Sequence, residues 1–196
     1  MPRRRSFEPE DALRRAMWVF WERGYAAASI QDLTQAMGIN RFSMYNTFGD
    51  KQTLFLAALD HYTEHVIGLL LRDLEGDDAS LPEIGAFFDA FLQHLKQPPG
   101  TLGCLMALSG CERASVDPET ATRVAAHRGR LRLALERALL HASRAGQIRP
   151  GILPRRRAVM LTTLVQGLAL QARSGADVNL LRATVDVTLR DLVAAP

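Results

Sequence analysis

Between Asn40 and Lys51 the chain sets out Arg41, Ser43, Met44, Tyr45, Asn46 and Thr47 ahead of Lys51. A guanidinium, a hydroxyl, an apolar thioether and an amide within two helical turns are groups able to touch base edges in a major groove. Tyr45, Thr47 and Lys51 suit phosphate oxygens. Asn40 is a good N-cap for this short helix. Upstream, Ser29 is a second cap, with Asp32 three residues on in a near capping box. It stands at a helix start, where backbone amides favour an anion such as a phosphate. A helix from Ser29, a turn holding Gly38 and a short second helix with polar residues outward make a helix-turn-helix. The same spacing also fits two packed core helices with a solvated polar face. Charge does not choose between them, because residues 1–65 hold eight Lys/Arg and eight Asp/Glu. The triplet Arg3-Arg4-Arg5 reads either as an arm on phosphates or in the minor groove, or as a solvated tail.

Other reactive types are sparse. Cys104 and Cys111 stand seven apart, on one face of a continuous helix and too far apart to bridge directly. A thiol sensor needs an exposed thiolate near a cation; Cys104 lies among Leu102, Leu105 and Met106, which favours a buried, inert pair. His61 and His65, four apart, could share a metal, but no further ligand stands with them, so no metal or other cofactor is expected. Paired carboxylates, a Ser-His-Asp set and a glycine-rich phosphate loop have no credible placement, and Glu112 beside Cys111 makes no triad. The chain is read as a non-enzyme.

The elements that must position these groups are helical. Glycine and proline fall between segments of helical periodicity, and no period-two run appears. Leu13, Ala16, Met17, Phe20 and Trp21 mark one buried face, closed by Gly24. Ile30, Leu33 and Ala36 point inward from the next helix. After Gly49-Asp50 a long helix presents Leu54, Phe55, Ala58, Leu59, Tyr62, Val66, Leu69 and Leu70. Residues 76–80 form a linker, and Ser80 with Glu83 boxes a helix start around Pro82. That helix carries Phe87, Phe88, Phe91 and Leu95 up to Pro98-Pro99-Gly100. A segment over about 103–113 follows, then an arginine-rich helix from Asp117-Pro118 to about Arg144. Residues 158–172 contain no charge at all, and Asp177 caps a last helix with Leu181, Val185, Leu189 and Leu192. With 196 residues, 47% of them hydrophobic, and a net charge of +3, the chain can bury a real core, and nucleic acid is permitted as a partner without being demanded. No apolar run reaches the roughly 20 residues of a membrane span and the start lacks a secretion signal's apolar centre, so a cytoplasmic location is expected.

The run Gly38-Ile39-Asn40-Arg41-Phe42-Ser43-Met44-Tyr45-Asn46-Thr47-Phe48-Gly49-Asp50-Lys51, continued by Thr53-Leu54-Phe55, resembles the recognition-helix signature of the tetracycline-repressor (TetR) family. Phe20-Trp21-Glu22-Arg23-Gly24-Tyr25 and Ala28-Ser29-Ile30-Gln31-Asp32-Leu33 match upstream, so the likeness covers about the first third of the chain. Gly103-Cys104-Leu105 resembles one branch, while Phe42 departs from the proline that branch often carries. The resemblance implies a homodimer on a near-palindromic double-stranded operator, with a helical body holding a small effector that releases the DNA. Carried onto this chain, Tyr45, Lys51, Ser29 and Asn40 would meet the backbone, and Arg41, Ser43, Met44 and Asn46 would line the groove.

The fold expected is all-α, with a helix-turn-helix domain over residues 1–50 and a ligand-binding and dimerisation domain over 51–196. A charge-free helix must be covered on all sides, so 158–172 should face both its own core and a partner subunit, with the last helix completing a two-fold contact. Arg155-Arg156-Arg157 would rim that interface or face solvent. A pocket is expected with Phe87, Phe88, Phe91, Cys104, Met106, Leu108, Cys111 and Gln166 as lining, although each of these also reads as plain core. The function expected is a ligand-responsive transcriptional regulator, read first as a repressor. The alternatives are a redox or electrophile sensor using Cys104, and a helical carrier or enzyme with no role on DNA.

Overall fold

The computed structural model describes residues 7–98 and 100–193, so the Arg3-Arg4-Arg5 triplet lies outside the described residues. Among the described residues ten α-helices account for most of the chain, and the β-type pairing is an isolated bridge between Ile148 and Val193. Helix α1 (Pro9–Ala27) buries Ala12, Ala16, Met17, Phe20 and Trp21, and at Gly24 its backbone leaves the helix with φ +78° and ψ 174°. Helix α2 (Ile30–Met37) starts on a reciprocal capping box between Ser29 and Asp32 and ends at Gly38 in the left-handed region. Helix α3 (Arg41–Phe48) is capped by the Asn40 side chain, which accepts from the Ser43 N–H at 2.8 Å. Asp50 likewise caps α4 (Lys51–Tyr62) through the Thr53 N–H. An ion pair at 2.7 Å from Arg23 to Asp32 braces α1 against α2.

The long helix after Lys51 departs from the regular spacing. Thr63–Ile67 is a π-helical turn, followed by α5 (Gly68–Leu71). A π turn inserts one residue into the α repeat and rotates everything beyond it. Ile67, Leu71 and Leu74 therefore face the core, Val66 and Leu70 are only half-buried, and Leu69 is exposed, which corrects its placement on the inner face. The continuous helix Lys51–Leu71 is long and apolar enough to cross a membrane by composition, but half of that stretch is buried inside the molecule. It is a core helix.

Helix α6 (Leu81–Lys96) begins at the Ser80–Glu83 capping box, and a 3-10 turn (Gly100–Leu102) leads to α7 (Leu105–Glu112). Asp117 caps α8 (Pro118–Arg144), which packs lengthwise on α9 (Pro154–Arg173); α10 (Val178–Arg190), capped by Asp177, lies on α6. One apolar core runs from Ala12 to Leu192 through all ten helices. Helix α9 is not enclosed within this chain. Val159, Met160, Thr163 and Leu170 are exposed on one side, and Leu180 and Val187 of α10 continue the same kind of surface.

Candidate nucleic-acid interface and body cavity

Helix α3 has only eight residues, and Met44 is the one it buries. That side chain is fully enclosed in the core. This corrects the placement of Met44 in the groove: so short a helix needs an apolar anchor, and residue 44 points inward. The exposed residues are Arg41, Phe42, Tyr45 and Asn46, whose i, i+1, i+4, i+5 spacing puts them on one side of the helix. Ser43 and Thr47 are half-buried at its margin. Asn40 and Ser29 both spend side-chain oxygens on capping, and the Ser29 hydroxyl also donates to Asp32 at 2.6 Å. The Asp32 carboxyl is held below its usual range, chiefly by the Ser29 hydroxyl. Lys51 is half-buried with its ammonium 4.5 Å above the Tyr25 ring, and desolvation lowers its pKa.

Among α4, α5, α6, α7, α8 and α9 a cavity leaves about 30 Å³ for the centres of water-sized molecules. Of the residues expected at a pocket, Phe87, Phe91, Cys104, Met106 and Gln166 line this cavity. Phe88, Leu108 and Cys111 do not, and are corrections. Phe88 is fully buried in the core with its ring edge-on to Phe87, Leu108 lies on another side of α7 from Met106, and Cys111 is exposed, not the buried thiol expected. Cys104 is the N-cap of α7, so the two cysteines do not share one continuous helix face. Burial raises the Cys104 thiol pKa, with the Tyr62 hydroxyl beside it. A protonated, enclosed thiol is poorly suited to sensing by thiolate chemistry.

Sequence reasoning missed Tyr62, His127 and Thr162 in the lining. His127 stands with Val124 and Leu131 at the i, i+3, i+7 positions of one α8 face, a pattern that was readable. Its Nδ1 is buried without a hydrogen-bond partner among the described residues, and burial together with the Arg130 charge lowers its pKa to about 4. The imidazole is therefore neutral at pH 7, in a largely apolar wall that also carries the polar side chains of Tyr62, Arg128, Thr162 and Gln166. His61 and His65 stack at 4.0 Å between ring centroids, and His65 Nδ1 lies 3.1 Å from the His61 carbonyl. Among the described residues no group of three His, Cys, Asp or Glu could hold a metal ion.

Two charged side chains tie this body to the α1–α3 unit. Glu112, at the end of α7, accepts from the backbone N–H groups of Tyr25 and Ala26 at 2.8 and 2.6 Å. Arg173, at the end of α9, donates to the carbonyls of Trp21, Glu22 and Leu102 at 2.9–3.0 Å. One acid thus holds free amides and one base holds the carbonyls of the helix turn just before them. Both helices also contribute cavity wall, through Met106 and Ala107 on α7 and Thr162, Val165 and Gln166 on α9.

Residues 12–58 match the family model described as bacterial regulatory proteins, tetR family, and residues 80–187 match that of the tetracyclin repressor-like C-terminal domain. The chain is 32% identical over 148 residues, 76% of each protein, to the HTH-type transcriptional regulator YezE of Bacillus subtilis (strain 168). It is 28% identical over 186 residues to the HTH-type transcriptional repressor ComR of Escherichia coli (strain K12), covering 94% of this chain and 88% of that one. Among solved structures it is similar to a cysteine-substituted form of the TetR family transcriptional regulator CifR complexed with 26-base-pair double-strand operator DNA. The TM-score there is 0.81 at 30% identity, over 96% of this chain and 98% of the other.

Proposed function

The chain belongs to the tetracycline-repressor family of DNA-binding transcriptional regulators, and from that premise we propose that it is a cytoplasmic repressor released from a two-fold-symmetric operator by a small effector. Residues 1–50 read the DNA and 51–196 sense and dimerise, with α4 packed against both. Arg41, Tyr45 and Asn46 meet the operator from the exposed side of α3, with Ser43 and Thr47 at its edges. Base edges are read by Arg41 and Asn46; Tyr45, Lys51 and the side-chain NH2 of Asn40 keep register on phosphates, whereas the Ser29 hydroxyl is committed to Asp32 and reaches a phosphate only by giving up that bond. The operator DNA bound by the CifR relative supports this assignment.

The exposed apolar stripe of Val159, Met160 and Leu170 on α9, continued by Leu180 and Val187 on α10, favours a homodimer through a four-helix contact. Such a contact sets the spacing of the two heads on successive major grooves.

The observation that carries effector control is the double engagement of α7 and α9. Each lines the cavity and each holds the head, through Glu112 and Arg173. An effector larger than this narrow cavity spreads its walls on entering. Moving α7 or α9 shifts the groups that grip Tyr25, Ala26, Trp21 and Glu22. A coupling of about 1–3 kcal/mol is enough to change operator occupancy several-fold or more. The effector this space fits is small and mostly apolar, with one polar group reaching His127 or Gln166. Selection of bound duplexes from a random pool at moderate salt is the test. One inverted repeat is the expected product; binding with no sequence preference by a folded dimer refutes the reading.

A further inference from the structure

Phe42 is 79% exposed, more than any other large apolar residue of the described chain, although it stands in the first turn of a fixed, capped helix. Among the described residues it packs neither on the hydrophobic core nor on another aromatic ring. Its neighbours on the exposed side of α3 are Arg41, Tyr45 and Asn46, all polar or amphipathic. A phenyl ring held in water at the leading end of a groove-entering helix gains nothing for the fold. What the major groove offers such a ring is the C5-methyl of thymine, the only apolar group on any base edge there.

We infer that Phe42 is a sequence-specificity residue, packing on a thymine methyl in each operator half-site. This rests on the operator-reading role proposed above. Met44, the other flexible or aromatic apolar residue in the first half of α3, is fully buried as the helix anchor and is not available for this contact. Phe42 and Asn46 are four apart, so the ring and the amide line up along the helix, and the thymine read by Phe42 lies within a base step or two of the base met by Asn46.

The experiment uses the full-length protein and the repeat recovered by selection. Each symmetric thymine pair is replaced in turn by deoxyuridine, which removes the methyl alone, and dissociation constants are measured for the wild type and for Phe42→Ala. One pair is expected to matter: its demethylation weakens wild-type binding about fourfold per half-site, the worth of one buried methyl. Phe42→Ala should be indifferent to that change and should select any base at that position, while Phe42→Leu keeps the sensitivity. If Phe42→Ala weakens every duplex equally and retains the wild-type uridine profile, the ring packs on the backbone and the inference is wrong. A recovered repeat with a flat uridine scan overturns this inference alone, whereas a pool with no preferred sequence overturns the operator reading with it. Because Phe42 is solvent-exposed, both variants should fold as the wild type does, which circular dichroism checks.

Discussion

The Glu112 carboxylate accepts the backbone N–H of Tyr25 at 2.8 Å, joining residues 87 positions apart in the chain. The contact requires the residue before Tyr25 to lack a side chain. A Cβ on Gly24 would lie 2.7 Å from the Glu112 Oε2, and the Gly24 φ of +78° with ψ 174° is a conformation essentially reserved for glycine. Arg113 completes the junction, with its guanidinium 4.3 Å over the Tyr25 ring and a hydrogen bond at 3.0 Å to Gln52 at the start of α4.

Gly24→Ala should therefore destabilise the protein by about 1–3 kcal/mol from the backbone alone. Glu112→Ala leaves two amides without their acceptor and should cost about as much. Urea unfolding measures both losses. Hydrogen exchange locates them: protection should fall at Tyr25 and Ala26 in Glu112→Ala while the α8 amides stay as they are. Unchanged protection at those two amides would mean that Glu112 does not hold the head.

Neighbouring residues of α3 should separate stability from DNA binding. Met44→Ala empties a fully buried site and should lose about 2–5 kcal/mol of stability. Tyr45, at 45% exposure, touches little of the core. Tyr45→Ala should stay within about 0.5 kcal/mol of wild type in unfolding, yet weaken the operator about tenfold or more in a gel shift, with the dimer intact in sedimentation. Equal loss of dimer and of DNA binding would remove Tyr45 from the interface.

Much of the fold was legible because caps and breakers act locally. Asn40, Ser80 with Glu83 and Asp117 each declare a helix start to the residue, and the all-helical class follows from a period that never shortens to two. The π turn at Thr63–Ile67 was not legible. Nothing in TEHVI forbids an α-helix, and the inserted residue is selected by packing with distant helices, so the placement of Leu69 failed. Met44 was placed in the groove for a related reason: eight residues hold too few apolar positions to fix the phase of a helix. The grip of Glu112 and Arg173 on α1 joins partners 87 and 152 positions apart, which no local pattern reports. His127 is different, since its i, i+3, i+7 company with Val124 and Leu131 is a local pattern that the sequence displays.

The stripe on α9 and α10 carries a further expectation. Leu170 is 60% exposed and Leu180 71% exposed in the single chain. Leu170→Glu should weaken self-association about a hundredfold, because a two-fold contact repeats each substitution and buries two like charges. Sedimentation velocity at micromolar concentration should then show monomer, and operator affinity should fall with it. A Leu170→Glu protein that still sediments as dimer would place the interface elsewhere.

His127 predicts how stability depends on pH. In the folded protein its imidazole has a pKa of about 4, against an ordinary value of 6.5. Between those two values the unfolded chain binds a proton that the folded one does not, so stability rises with pH across that window. The contribution is complete above pH 6.5 and is lost as the pH falls toward 4. From pH 7 to pH 5 the loss from this residue is about 2 kcal/mol. Burial shifts His61 and His94 in the same direction, which steepens the slope. Asp32, Glu75 and Asp117 are held below the usual carboxylate range by hydrogen bonds, so their contributions vanish only at still lower pH. Denaturant midpoints at pH 7, 6 and 5 should therefore fall for the wild type and fall much less for His127→Leu, which keeps an apolar wall and removes the proton site. Parallel curves for the two proteins would assign the slope to His61 and His94 and leave His127 accessible to water.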